Sequence, residues 1–286
     1  MVSLGKMYGY IRLMRPLNSL MMGFAVIVGA AIANPKAFAF LWQKLILGTL
    51  TGFLLTASSM AINDYYDREI DAINEPGRPI PKGLIKPKEA LSFAFALMTL
   101  GFITSILTSF LCFLLALFAW IISVAYTTFG KRTGFPGNLL VSACVSIPFI
   151  YGSATILDTI TPNIIIFVIM VFLSNTGREV NKGIVDVEGD RARNVRTIAV
   201  CYGVRSAAII ASTLYIASVI LSPIPWILGQ VFFPFIPLVA IADLGLIASS
   251  IMLLKNVSRE KAKKVKNIAL FSFMAGLLAF IFGTIG

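Results

Sequence analysis

Asn63-Asp64-Tyr65-Tyr66-Asp67-Arg68-Glu69-Ile70-Asp71, with Glu75 just beyond, closes an apolar run that begins near residue 44. A second acidic cluster, Glu179 and then Asp186-Val187-Glu188-Gly189-Asp190, closes another apolar run near residue 180. The two stretches hold nine of the chain's 13 acidic residues, and most of the rest of the sequence is oily. Carboxylates at a membrane edge are costly unless they bind a cation or a cationic partner. Two clusters placed alike therefore point to one metal-dependent site built from both.

The apolar runs decide the fold class. Of 286 residues, 58% are hydrophobic and only 13% charged, against about 25% charged in a soluble domain. Nine runs are long enough to cross a bilayer as helices, near 17–34, 44–64, 89–109, 111–128, 138–157, 162–180, 205–222, 232–254 and 266–285. A spanning helix satisfies its backbone polar groups internally, which a bilayer demands. The chain is therefore expected to be all-α. It reads as one domain over 1–286, a polytopic membrane protein with about nine transmembrane helices around a central, lipid-accessible cavity. The third and fourth runs are continuous and divide near Ser109. Pro223, Pro225, Pro234 and Pro237 interrupt the connection between the seventh and eighth. Gly48 and Gly52 form a GxxxG, which favours a close helix contact. Ala31-Ile32-Ala33 has the look of a signal-peptide cleavage site, but Leu17–Ala33 is nearly long enough to span. The first helix is read as uncleaved.

Charge sets the expected topology. The net charge is +11, with 24 Lys and Arg. With the N-terminus in the cytoplasm, all of these except Lys36 and Lys44 fall in cytoplasmic segments, Arg193 among them. The positive-inside rule thus accounts for the basic balance without nucleic acid. It places a multi-pass protein in the cell membrane with both acidic clusters on the cytoplasmic side. Four spans separate the clusters, so the halves read as weak parallel repeats. The chain has no histidine, which excludes His general bases, Ser-His triads and most zinc sites. Cys112, Cys144 and Cys201 form no close pair, and two of them lie inside apolar runs, as small buried hydrophobes do.

The clusters share a spacing. Asn63, Asp67 and Asp71 follow one another at i+4, as do Arg178, Lys182, Asp186 and Asp190. On continuous helices each set forms one row, drifting about 40° per step. Pro76 and Pro79 end the first helix. Facing carboxylate rows suit hard divalent cations, and Mg²⁺ favours one or two carboxylates plus phosphate oxygens. Arg78, Lys82, Lys131, Arg178 and Lys182 would neutralise the remaining phosphate charge. The substrate class that fits is an amphiphile with a phosphorylated head.

These residues resemble a known family, the UbiA-type intramembrane prenyltransferases. Asn63 to Asp71, with Asn74-Glu75-Pro76-Gly77-Arg78-Pro79-Ile80-Pro81, is similar to the family's first signature. Asp186 to Arg191, between Lys182 and Thr197, is similar to the second. Arg15-Pro16-Leu17-Asn18 resembles the first-helix motif, and Tyr126 with Lys131 and Asn138 resembles the loop between helices four and five. Asn194, where glycine is common, and Ile198-Ala199, in place of Leu-Pro, depart from the pattern. Within the family, Arg15-Pro16-Leu17-Asn18, Ile80-Pro81-Lys82-Gly83 and Gly177-Arg178-Glu179 look most like the archaeal branch that builds ether lipids.

The resemblance implies a site. Asn63, Asp67, Asp71, Asp186 and Asp190 would hold Mg²⁺ and diphosphate, the four aspartates being the catalytic set. Arg15, Asn18, Asn63, Arg78, Tyr126, Lys131, Arg178 and Lys182 would bind substrate. The donor would be geranylgeranyl diphosphate, the acceptor the free hydroxyl of geranylgeranylglyceryl phosphate, and membrane lipids the surroundings. An aromatic-acceptor polyprenyltransferase is the near alternative, with 4-hydroxybenzoate as the type of acceptor. A CDP-alcohol phosphatidyltransferase needs an Asp-Gly-x-x-Ala-Arg run, which is absent. An ion-coupled transporter would carry its acids nearer the bilayer midplane.

Overall fold

The computed structural model describes residues 4–192 and 194–285; Arg193 lies outside them. Its helices, in chain order, are α1 (Leu4–Leu13), α2 (Pro16–Ala33), α3 (Pro35–Phe40), α4 (Trp42–Tyr66), α5 (Arg68–Asn74), α6 (Pro87–Thr108) and α7 (Phe110–Thr128). Then follow α8 (Phe135–Leu157), α9 (Asn163–Val185), α10 (Val187–Ala192), α11 (Ile198–Leu221), α12 (Ile224–Ile227), α13 (Phe235–Lys255) and α14 (Arg259–Ile285). Among the described residues nine helical segments are long and apolar enough to span: α2, α4, α6, α7, α8, α9, α11 with α12, α13 and α14. They match the nine expected runs. The main differences are that α9 runs on to Val185, and that α11 and α14 start at Ile198 and Arg259. Helical hydrogen bonding does not stop where a sequence turns polar, so hydropathy alone undercounts these ends.

Local chemistry explains the breaks. Ser109 separates α6 from α7 with extended backbone, and its Oγ accepts from Cys112 N–H at 3.2 Å, a side-chain cap. Thr197 caps α11 in the same way. Gly203 kinks α11 at φ 86°, a conformation that costs glycine little. All three cysteines are free; Cys112 is buried, Cys144 half-buried and Cys201 exposed.

The spans form a ring in the order α2, α4, α6, α7, α8, α9, α11, α13, α14 and back to α2. Helices α2 and α8 also pack across the ring. A Cβ on Gly29 would overlap the Phe149 carbonyl oxygen, and one on Gly152 would overlap that of Val26. Backbones can meet this closely only where side chains are absent. Gly48 and Gly52 bring α4 close to α8 and α2 in turn, against Thr155 and the Met22 carbonyl. The crossing of α2 and α8 divides the interior in two. One core, around Leu55, Cys112 and Tyr151, lies on the α4–α7 side; another, around Phe167, Phe235 and Phe280, lies on the α9–α14 side.

Candidate active site

Both acidic clusters close their spans in the same way. Helix α4 ends at Tyr66 and α9 at Val185, and an aspartate follows each, Asp67 and Asp186, before the short helices α5 and α10. Regular helix is interrupted at both aspartates, yet the hydrogen bonds to the residue four back run through. Asp67 N–H donates to Asn63 and Asp71 N–H to Asp67; Asp186 N–H donates to Lys182 and Asp190 N–H to Asp186, all within 3.0 Å. The expected rows therefore persist across the break. The first helix stops at Asn74, ahead of Pro76.

The first row is braced by cations. Lys131 Nζ donates to Asp67 Oδ2 at 2.6 Å, and Asn63 Nδ2 donates to the same oxygen at 3.0 Å. Arg78 Nη1 donates to Asp71 Oδ2 at 2.5 Å and to Asp64 Oδ1 at 3.2 Å. Arg15 Nη2 joins Asp64 Oδ1 at 2.5 Å. Burial pushes the Asp71 carboxyl above the usual carboxylate range, against the pull of Arg78. Burial also pushes Lys131 below the usual lysine range, against the pull of Asp67. Asp64, Asp71 and Glu179 are buried, and charge pairs to buried carboxylates are stronger than those at an open surface.

The second cluster faces the first through Tyr126. Tyr126 lines one cavity together with Arg178 and Glu179 of the second cluster. Lys131 Nζ sits 5.9 Å from the centre of its ring. Glu179 is buried and accepts from Lys182 Nζ at 2.8 Å and Arg178 Nη1 at 3.4 Å. Asp186 is exposed and makes no ion pair among the described residues.

Below this mouth lies an apolar chamber of about 340 Å³. Asn18, Tyr126, Arg178 and Glu179 line its upper part, and Val26, Leu115 and Tyr151 its depth. A second chamber, of about 100 Å³, lies across the α2–α8 crossing and is lined by residues such as Met170, Ala242 and Gly276. Met21, Met22, Val145, Asn175 and Phe273 line both, so the two meet. Only the larger is lined by Arg178 and Glu179 of the mouth; the smaller adjoins it through the five shared residues.

The donor set fits Mg²⁺. Its ligand atoms are hard oxygens, and no histidine competes. Among the described residues no three acidic, His or Cys groups form a ready-made metal cage. Five cations (Arg15, Arg78, Lys131, Arg178 and Lys182) accompany six carboxylates (Asp64, Asp67, Asp71, Glu179, Asp186 and Asp190). Each of the five is already paired with one of those carboxylates. The carboxylates thus outnumber the cations, a balance that suits hard divalent cations.

Most of the expected site residues thus converge. Lys82 does not: it is exposed and has no ion pair among the described residues. Two residues inside the acidic clusters carry no expected role of their own and prove central, Asp64 and Glu179. Asp64 is 3% exposed and bridges two arginines. It lies off the i+4 row, on the face carrying the buried Ala57 and Ala61; those small residues at i−7 and i−3 were the available signal.

Among known proteins, the digeranylgeranylglyceryl phosphate synthase of Archaeoglobus fulgidus is 37% identical over 276 residues, covering 95% of this chain and 93% of the relative. That of Korarchaeum cryptofilum is 38% identical, covering 97% and 98%. A solved structure described as a digeranylgeranylglyceryl phosphate synthase in membranes superposes with a TM-score of 0.83 at 31% identity, covering 98% of this chain and 99% of that one. A UbiA homolog from Archaeoglobus fulgidus, solved with GPP and Mg²⁺, shares the fold with a TM-score of 0.66 at 21% identity over 96% of this chain and 99% of that one. Residues 22–277 match the profile of the UbiA prenyltransferase family. With that match, nine helices among the described residues long and apolar enough to span, and a carboxylate-lined mouth beside an apolar chamber, this chain belongs to the UbiA prenyltransferase family.

Proposed function

We propose that this prenyltransferase moves a geranylgeranyl group from geranylgeranyl diphosphate to the free hydroxyl of geranylgeranylglyceryl phosphate, making digeranylgeranylglyceryl phosphate. The observation that carries the reading is a pair of adjoining apolar chambers, the larger of which reaches the charged mouth at Arg178 and Glu179. A reaction joining two long hydrocarbon chains at one polar head needs that shape; an aromatic acid needs only one long chamber. The names of the relatives, at 37–38% identity over nearly the whole chain, support it.

In this reading the donor tail enters the larger chamber and its diphosphate sits at the mouth. Arg78 and Lys131 hold phosphate oxygens by charge-assisted hydrogen bonds. Asn63, Asp67, Asp71, Asp186 and Asp190 would hold Mg²⁺, which when bound neutralises diphosphate charge and makes it a better leaving group. As the bond from the allylic carbon to the diphosphate oxygen breaks, positive charge grows on that carbon. The nearby Tyr126 ring favours such charge. The apolar walls exclude water that would otherwise capture it. The acceptor hydroxyl oxygen then forms the ether bond, and its proton passes to the departing diphosphate or to a carboxylate. Arg15 and Arg178 remain for the acceptor's own phosphate.

The same reading puts the N-terminus and both acidic clusters in the cytoplasm, where water-soluble diphosphate leaves. The test of function is a competition. Purified protein, Mg²⁺ and labelled geranylgeranyl diphosphate are given equal geranylgeranylglyceryl phosphate and 4-hydroxybenzoate. The expected label is in the diether phosphate; label mainly in prenylated benzoate overturns the acceptor assignment and leaves the family intact.

A further inference from the structure

Helix α1 is not one of the nine spans, and only one of its faces is used by the fold. On the inner face Leu13 is fully buried, and the Tyr10 ring lies 4.8 Å from that of Phe93. A Cβ on Gly9 would meet Ile85 at 2.8 Å. The outer face is a stripe of Leu4, Met7, Tyr8 and Ile11, spaced i, i+3, i+4 and i+7 and exposed by 43% or more. In water such a stripe on a short helix has no function and invites association. Here α1 leads through Met14 and Arg15 directly into the span α2. The first turns of α2 expose Leu17 and Leu20 in the manner of lipid-facing residues. The helix therefore stands where the chain enters the bilayer. It carries Lys6 and Arg12 and no acidic residue.

We propose that α1 is an in-plane surface helix whose partner is the headgroup layer of the surrounding bilayer. The stripe lies at the boundary of the acyl chains, as in other amphipathic surface helices. The Tyr8 ring, with the Arg12 guanidinium 5.8 Å above it, combines an apolar body with a polar end, which suits headgroup depth. The seat has a consequence for the mouth. Arg12 Nη1 donates to the Gly77 carbonyl at 3.0 Å, and Arg15 at the end of the same segment pairs with Asp64. Lipid contact along α1 thus fixes the approach of two arginines to the first acidic cluster.

The test needs no turnover, so its outcome is independent of the substrate assignment. Met7→Cys and Ile11→Cys are spin-labelled in protein lacking Cys112, Cys144 and Cys201, with the exposed Lys82→Cys as an aqueous reference. The protein is placed in phosphatidylglycerol nanodiscs. Collision with a water-soluble nickel chelate is expected to fall several-fold at 7 and 11 relative to 82, while collision with oxygen, which concentrates in lipid, rises. Nickel access equal to that at 82 overturns the proposal. Shielding from both colliders, with label-to-label broadening that depends on protein per disc, means a second copy covers the stripe and overturns it as well.

Discussion

Arg15 reaches Asp64 at 2.5 Å from a backbone in the left-handed region, with φ 45° and ψ 68°, immediately before Pro16. A non-glycine residue in that region costs about 1–3 kcal/mol, and a following proline disfavours helical values further. The buried Asp64 carboxylate offsets that cost and aims the guanidinium at the mouth. Because Arg78 shares the same oxygen, one carboxylate holds two phosphate-binding candidates from distant parts of the chain.

Asp64→Asn is therefore expected to loosen both arginines at once. Removing one partner of a buried charge cluster costs about 3–5 kcal/mol, and the roughly quarter-exposed arginines put this case at the lower end. The variant should unfold at a lower temperature and show a higher KM for the donor diphosphate, through Arg78, and for the acceptor, through Arg15. Thermal unfolding and titration of donor and acceptor check it; unchanged values throughout would remove Asp64 from the architecture of the mouth.

Asp67→Ala and Asp190→Ala test the shared site from its two sides. Each should lose transfer by at least about 10²-fold, the scale seen when one group stabilising transition-state charge is removed, while the protein still folds. Asp67→Ala also leaves the Lys131 ammonium without its partner at 2.6 Å. Turnover near the parent's rate by either variant, with Mg²⁺ supplied, would contradict a site built from both clusters. Chelating divalent cations should silence the parent protein and added Mg²⁺ should restore it.

The number and order of the helices were legible because hydropathy and proline breaks are local signals; Ser109 marked the division of a long oily run correctly. The carboxylate rows were legible because i+4 spacing survives a helix break. Asp64 and Glu179 were harder. Their roles depend on which face of the helix is buried, and nothing in the clusters themselves tells a buried carboxylate from its exposed neighbour. The division into two chambers was not legible at all. It arises from backbone contact between Gly29 on α2 and Phe149 on α8, a pairing distant in sequence.

Topology can be read by labelling. In protein lacking its three cysteines, Gly83→Cys and Asn256→Cys should react only from the cytoplasmic face, and Asp158→Cys only from outside. The loops carrying positions 83 and 256 hold dense Lys and Arg, whereas Asp158 ends α8 at its other end. Reaction of position 83 with an impermeant reagent in intact cells would invert the orientation.

The two chambers make the sharpest kinetic prediction. Gly276 lines the smaller chamber, and a Cβ there meets nothing within 4 Å, so a larger side chain enters open space instead of a neighbour. Gly276→Phe should fill that chamber without unfolding the ring. If the acceptor's chain lies there, KM for geranylgeranylglyceryl phosphate rises several-fold while donor KM stays close to the parent's. Ala119→Phe, which narrows the larger chamber, should do the reverse. Each variant thus serves as the other's control for general damage, because a distorted fold would raise both constants together. Equal effects of both variants on both substrates would mean that the chambers act as one cavity. A rise in donor KM alone with Gly276→Phe would exchange the assignments of the two chains.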